Sequence, residues 1–388
     1  MKHYKLKLTA LTPIHIGTGE DFDPTNFVID GNYLYEFDET AFFKNLDGKG
    51  KQVFLQAVDS KAADALFGIH RVIKNYKQAA IDSATLKVQV SKGVAKAYEN
   101  KVGRVVQQEG GRRINPRKVF NQFQIQRTMR QPNTNHPYIP GSSLKGAIST
   151  AFQEMLFKQN PALRERFFET RNPTHRLFKN LLVSDVKATK IYAMVGYALN
   201  KERFEEDDQG PKTMLEAIYA DEKVQSIFDV NVSTRDYLID PDRPKQTYPI
   251  DIETIRQACN AHYLPLFEQM FEPYTIFKGQ KIDDFTNEYF SEAFYNRYKD
   301  FKLKDNQFLI RVGRHSQARA VTIDGMRKIR VKVSGGGPKR KPNRWETLDQ
   351  ETTTWFFGRS EYSNENLLPF GWVLCEVVEE KYYQKDSL

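Results

Sequence analysis

Near the start of the chain, apolar and charged positions alternate: Tyr4, Leu6 and Leu8 against Lys5 and Lys7. A period of two predicts a half-buried strand, followed by the loop TPIHIGTGEDFDP. NFVIDGNYLYEFD reads as two short strands about an Asp30-Gly31 turn. A helix follows from Glu39, and a second helical region covers about 60–79. Residues 85–130 read as a long basic β-ribbon, with TLKVQV and RVVQQ as arms and QFQIQRTMR as the returning strand.

PYIPGSSLKGAISTAF, residues 137–152, changes period. Pro137 and Pro140 bias the preceding residues toward extended backbone, and Gly141 permits a tight turn or a close approach. Ser142 is the expected N-cap. From there Leu144, Ala147, Ile148, Ala151, Phe152, Met155 and Leu156 recur at helical spacing, predicting a helix over 142–158 with one greasy face. Its first turn brings free amides, Ser143 and Lys145 together, an arrangement suited to a phosphate or carboxylate. The same features also describe a well-capped core helix. A P-loop is excluded because Gly146 is followed by Ala147 and not by Lys-Ser/Thr, and GTGE at 17–20 lacks the third glycine of a dinucleotide fingerprint.

Beyond this helix, LLVSDV and IYAMVGYAL read as strands, and TMLEAIYADEKVQSIFDVNV holds two more apolar segments. The Pro-rich stretch LIDPDRPKQTYP, 238–249, is the best linker, dividing the chain into 1–237 and 238–388. IETIRQACNAHYLPLFEQM and FTNEYFSEAFYNRY are helical; QFLIRVGRHS, TTTWFF and LPFGWVLCEVVEE are strands. Strands, helices and strands recur twice, which argues for α+β over a doubly wound sheet.

At 388 residues with 40% apolar content, the chain has ample core for two or three domains. It has no long apolar run, so no membrane span is expected. The opening MKHYKLKLTALTPIHIG lacks the apolar region of a signal peptide. Its two cysteines, Cys259 and Cys375, offer neither a disulfide framework nor a zinc site, so a cytoplasmic location is expected. Formal charge is +9, but its distribution is uneven. Residues 101–130 hold eight Lys/Arg against Glu109, among them Arg112, Arg113, Arg117, Lys118, Arg127 and Arg130. Residues 311–344 hold eleven against Asp324. These windows carry +7 and +10, leaving the rest of the chain at −8, a pattern that suits a polyanion partner.

Four stretches then stand in order: LTPIHIGTG, YIPGSSLKGAI, FLIRVGRHS and LPFGWVLCEV. In this combination the chain resembles the RAMP superfamily of CRISPR proteins, and within it the fifth-subunit group of type III-A (Csm) effector complexes. The resemblance covers essentially the whole chain. One position departs from it: at His315 the family pattern leads to a small residue, often glycine. The resemblance implies two ferredoxin-like (RRM-like) domains with a basic β-ribbon insertion and Gly-rich loops that hold RNA. It also implies a non-catalytic subunit that caps the effector filament at the crRNA 3′ end and supports crRNA maturation in antiviral defence. Implied partners are crRNA and target RNA, the repeating backbone RAMP subunit, other Csm proteins, and host nucleases that trim crRNA. RNA contacts are expected at His15, Gly17, Thr18 and Gly19; at Gly141, Ser142, Ser143 and Lys145; and at Arg311, Arg314 and His315 around Gly313. Further contacts are expected in the basic ribbon, at Arg112, Arg113, Arg117, Lys118 and Arg127, and in the Gly-rich loop, at Lys339, Arg340, Lys341 and Arg344.

Related RAMP subunits cut RNA with a loop aspartate, and crRNA-processing endoribonucleases often use a histidine, so Asp21, Asp23 and His15 are the residues to weigh. The chain has no HExxH and no Gly-Gly-Asp-Asp, and its seven histidines are scattered. No catalytic residue, metal or cofactor is expected. The competing readings are a crRNA-processing endoribonuclease with His15 as acid or base, and a general RNA-binding protein outside CRISPR.

Overall fold

The computed structural model describes residues 1–60, 62–101, 123–163, 174–204, 210–239, 246–333 and 344–382. The predicted first strand is β1 (Lys2–Ala10), with Tyr4, Leu6, Leu8 and Ala10 turned into the core. After it come β2 (Gly17–Phe22) and the hairpin β3 (Phe27–Asp30) and β4 (Tyr33–Phe37). Helices α1 (Glu39–Asn45), α2 (Gly48–Val58), α3 (Ala62–Asn75) and α4 (Lys77–Asp82) fill the expected helical region. TLKVQV lies in β5 (Ala84–Val90), but a helix, α5 (Lys92–Lys101), stands where the ribbon was expected to continue. Val94, Ala95 and Tyr98 are buried at helical spacing, which overrides the ribbon reading there. RVVQQ, Arg112, Arg113, Arg117 and Lys118 lie outside the described residues. The returning strand is β6 (Ile125–Thr128).

The helix α6 (Gly141–Gln159) buries Leu144, Ala147, Ile148, Ala151, Phe152 and Leu156, as its spacing predicts. Then follow β7 (Leu181–Val183), β8 (Lys187–Lys190), β9 (Ala193–Glu202), β10 (Lys212–Ile218) and β11 (Ile227–Thr234). The expected linker begins and ends in a short pair, β12 (Tyr237–Ile239) with β13 (Thr247–Pro249). Helix α7 (Ile252–Gln269) starts at a capping box between Asp251 and Thr254. The pair β14 (Tyr274–Phe277) and β15 (Gln280–Asp283), helix α8 (Glu292–Tyr298) and β16 (Gln307–Arg311) come next. The chain continues through α9 (Ala318–Val321), the hairpin β17 (Ile329–Val333) and β18 (Arg344–Leu348), β19 (Thr353–Gly358), β20 (Leu368–Pro369) and β21 (Trp372–Tyr382).

Two sheets organise these strands in an α+β fold. In the first the order is β16-β21-β1-β11-β7, with β8 also on β11, and every pair is antiparallel. In sequence, α6 precedes β7 and α7 lies between β11 and β16. The two helices meet where Tyr263 Oη donates to Ala147 O (3.1 Å) and His262 Nδ1 lies 2.9 Å from Glu154 Oε2. The second sheet runs β2-β6-β10-β9-β5-β4-β3, with β19 on β9 and β20 on β19. It is mixed, since β6–β10 and β5–β9 are parallel. Both sheets take strands from either side of residue 238, so the sequence halves are interleaved.

Candidate nucleic-acid interface

All four sequence motifs meet at one crossing. Residues 11–16, between the sheets, are buried, and their backbone is held from several sides. Leu11 N donates to Trp372 O (2.9 Å), Gly371 N to Pro13 O (2.8 Å), Arg314 N to His15 O (2.8 Å) and Met129 N to Ile16 O (2.7 Å). Tyr138 N donates in turn to Met129 O (3.1 Å), which ties the approach to α6 to the same patch. Two glycines make the crossing fit. Gly313 has φ +89°, and a Cβ there would lie 2.6 Å from His15 O; Gly371 has φ +92°, and a Cβ there would lie 2.4 Å from Val312 O.

At Gly17 the chain emerges into solvent. Between Gly17, which pairs with Thr128, and Asp21, which pairs with Gln126, the register of β2 on β6 breaks. Thr18, Gly19 and Glu20 stand out as an exposed bulge, closed by Glu20 N donating to Thr18 Oγ1 (3.0 Å). Arg314 is exposed beside it, with Nη1 on Gln126 Oε1 (3.2 Å). The bulge and the loop after β16 are therefore neighbours, although most of the chain separates them in sequence.

Several expected contacts turn out to be framework. His15 has no exposed surface; its Nδ1 lies 2.7 Å from Glu216 O, and burial lowers its pKa to about 4. Arg127 forms a bidentate ion pair with Glu36 and lies over the Phe22 ring at 4.4 Å. Arg311 is buried, with Nε on Phe370 O (2.8 Å). A surface role for these three side chains is corrected on that ground: each is enclosed or already paired. His315 is half-buried at φ +68°, its ring 4.4 Å from Trp355 and 5.2 Å from Phe370, and burial lowers its pKa to about 3.

The opening of α6 is also corrected. The helix starts one residue early, at Gly141, and Pro140 occupies the N-cap with no side-chain cap. Gly141 N donates to Asp185 Oδ1 (2.7 Å), so a carboxylate of this chain already sits at the helix start. A Cβ on Gly141 would lie 2.4 Å from Val183 O. Ser142 remains exposed, and Ser143 and Lys145 are half-buried; burial lowers the pKa of Lys145. Lys339, Arg340 and Lys341 lie outside the described residues, and Arg344 opens β18.

Sequence reasoning missed Asp185, whose partner is 44 residues away, and the buried pair of Arg130 with Glu216. It also passed over Trp345, 59% exposed with Arg330 5.2 Å from its ring. Position within a basic hairpin was the available signal. Asp21 is exposed, and Asp23 accepts from Thr25 N and Oγ1 within its own turn (2.8 and 2.7 Å). Among the described residues no three His, Cys, Asp or Glu side chains could share a metal ion, and no helix is long and apolar enough to cross a membrane.

The model of the RAMP superfamily matches residues 7–315, and the chain belongs to that superfamily. Within it, the chain is related to Csm5. The Csm5 proteins of Mycobacterium tuberculosis strains CDC 1551 / Oshkosh and ATCC 25618 / H37Rv are each 23% identical over 186 residues, 46% of this chain and 46% of each relative. That match spans about half the length of these relatives. A chain in a Csm-crRNA-target RNA ternary complex of a type III-A CRISPR-Cas system has the same fold: TM-score 0.55, 16% identity, 97% of this chain and 100% of that one. The crystal structure of T. onnurineus Csm5 aligns with TM-score 0.44 and 16% identity over 79% of this chain and 89% of that one.

Proposed function

We propose that the chain is a non-catalytic RNA-binding subunit of a type III-A CRISPR effector complex, capping the filament at the crRNA 3′ end and supporting crRNA maturation. The observation that carries this reading is the crossing, where a buried frame projects an exposed glycine bulge and Arg314 side by side. An exposed backbone bulge and an exposed cation suit phosphates, which position RNA without reading sequence. The proposed contacts are Gly17, Thr18, Gly19, Ser142, Ser143, Lys145 and Arg314, with His15, Gly141, Arg311 and His315 as their support. The connectivity β1-α6-β7-β11-α7-β21, with β21-β1-β11-β7 adjacent and antiparallel, supports a ferredoxin-like reading of the first sheet. We assign the two RAMP units to the two sheets, each built from strands on both sides of 238–249. The proposed partners are crRNA, target RNA, the repeating backbone subunit, other Csm proteins and trimming host nucleases. The endoribonuclease alternative gains no support from a His15 sealed inside the fold.

The test is salt dependence of single-stranded RNA binding. With about four to six phosphates contacted, log Kd should change with log salt at a slope on the order of 3 to 4 in magnitude. Binding that stays flat as salt rises contradicts the reading.

A further inference from the structure

Beneath the crossing, Arg311 belongs to a cluster of charges. Arg203, Arg311 and Arg319 line one small cavity with Asp284. Each nearby acid has its own arginine. Arg203 Nη2 pairs with Asp284, and Arg319 Nε donates to Glu351 Oε2 (2.7 Å). Asp284 also accepts from Thr286 N (3.1 Å), and Glu351 from Arg319 N (2.6 Å). Arg311 is the third cation, and among the described residues no carboxylate forms an ion pair with it. It lies over the Trp372 ring at 5.0 Å, 5% exposed, and its Nη2 is buried without a hydrogen-bond partner, as is Nε of Arg203. Burial lowers the Arg311 pKa to about 9, which leaves the guanidinium charged at neutral pH.

Glu351 is the acid that acts on Arg311, but it is already held by Arg319, so three cations share two carboxylates. A buried charge that is not directly paired is destabilising. A water would satisfy hydrogen bonds there but would leave the charge unbalanced. The cavity measures about 20 Å³, room for one water-sized particle. We propose that this cavity binds a single halide ion, chloride under ordinary conditions, as the counter-ion of Arg311 between the Arg311 and Arg203 guanidinium groups. The ion would hold the end of β16 in place and thereby the Gly313 loop that follows it. Halide binding here does not depend on RNA binding.

The test is thermal melting of the full chain in sodium chloride, bromide and gluconate at one fixed ionic strength. Chloride and bromide should raise the midpoint over gluconate, by about 1–3 °C per tenfold rise once the site begins to fill. Arg311→Met should abolish that anion dependence. Should that variant fail to fold, a crystal grown in bromide decides: an anomalous peak in the cavity is expected. Identical melting in chloride and gluconate, or a cavity without a bromide peak, overturns the proposal and leaves an ordinary water site.

Discussion

His315 sits at a left-handed backbone position where a glycine would be at ease, and nothing in the sequence explains it. The structure supplies a reason: the ring fills the gap between Trp355 and Phe370. Such strain costs about 1–3 kcal/mol and persists where packing outweighs it. His315→Ala keeps the strain and loses the ring, so it should melt below His315→Gly, reversing the usual order of these residues. A midpoint for the alanine variant at or above the glycine variant contradicts this. The buried histidines also predict acid sensitivity. His15 and His315 have pKa values of about 4 and about 3 in the fold, against about 6.5 in the unfolded chain. The unfolded state then binds more protons, so stability is full above about pH 6.5 and falls as pH drops toward about 4. Melting midpoints should decline steadily from about pH 6.5 to about 4.5; a flat profile across that window contradicts the assignment. His15 illustrates what sequence could not carry. Its residue type suggested chemistry, while its burial depends on contacts to Glu216 and Arg314, both far away along the chain.

At the scale of elements, α6 was legible in its apolar spacing, and its greasy face packs as that spacing requires. Its cap was not, because Asp185 arrives from the loop after β7. Lys145 and Phe152 separate surface from core. Phe152 is fully buried, edge-on to Phe178 at 6.0 Å, so Phe152→Ala should cost roughly 3–5 kcal/mol of stability. Lys145→Ala should change stability by only about 0.5 kcal/mol while weakening RNA binding. Denaturation and RNA titration on both variants check this; unchanged RNA binding by Lys145→Ala would make the helix start purely structural. The ribbon expectation failed over 92–101 because basic composition says nothing of the buried face formed by Val94, Ala95 and Tyr98.

For the whole molecule, charge counting overstated the free basic surface. Arg127, Arg130, Arg319 and Arg327 pair with Glu36, Glu216, Glu351 and Asp324, and Arg311 is buried, while Arg314, Lys328 and Arg330 stay exposed. Sequence shows the sign of a residue but not its long-range partner. The order of motifs was a better guide, because those four stretches converge on one crossing. The central claim is that this crossing faces RNA inside a type III-A complex. Ultraviolet crosslinking of the assembled complex, followed by mass spectrometry of peptides from this chain, tests it most directly. Crosslinks are expected on the peptide spanning residues 17–21 and on the one holding Arg314, to nucleotides at the crRNA 3′ end. An intact complex whose crosslinks spare both peptides would contradict the account.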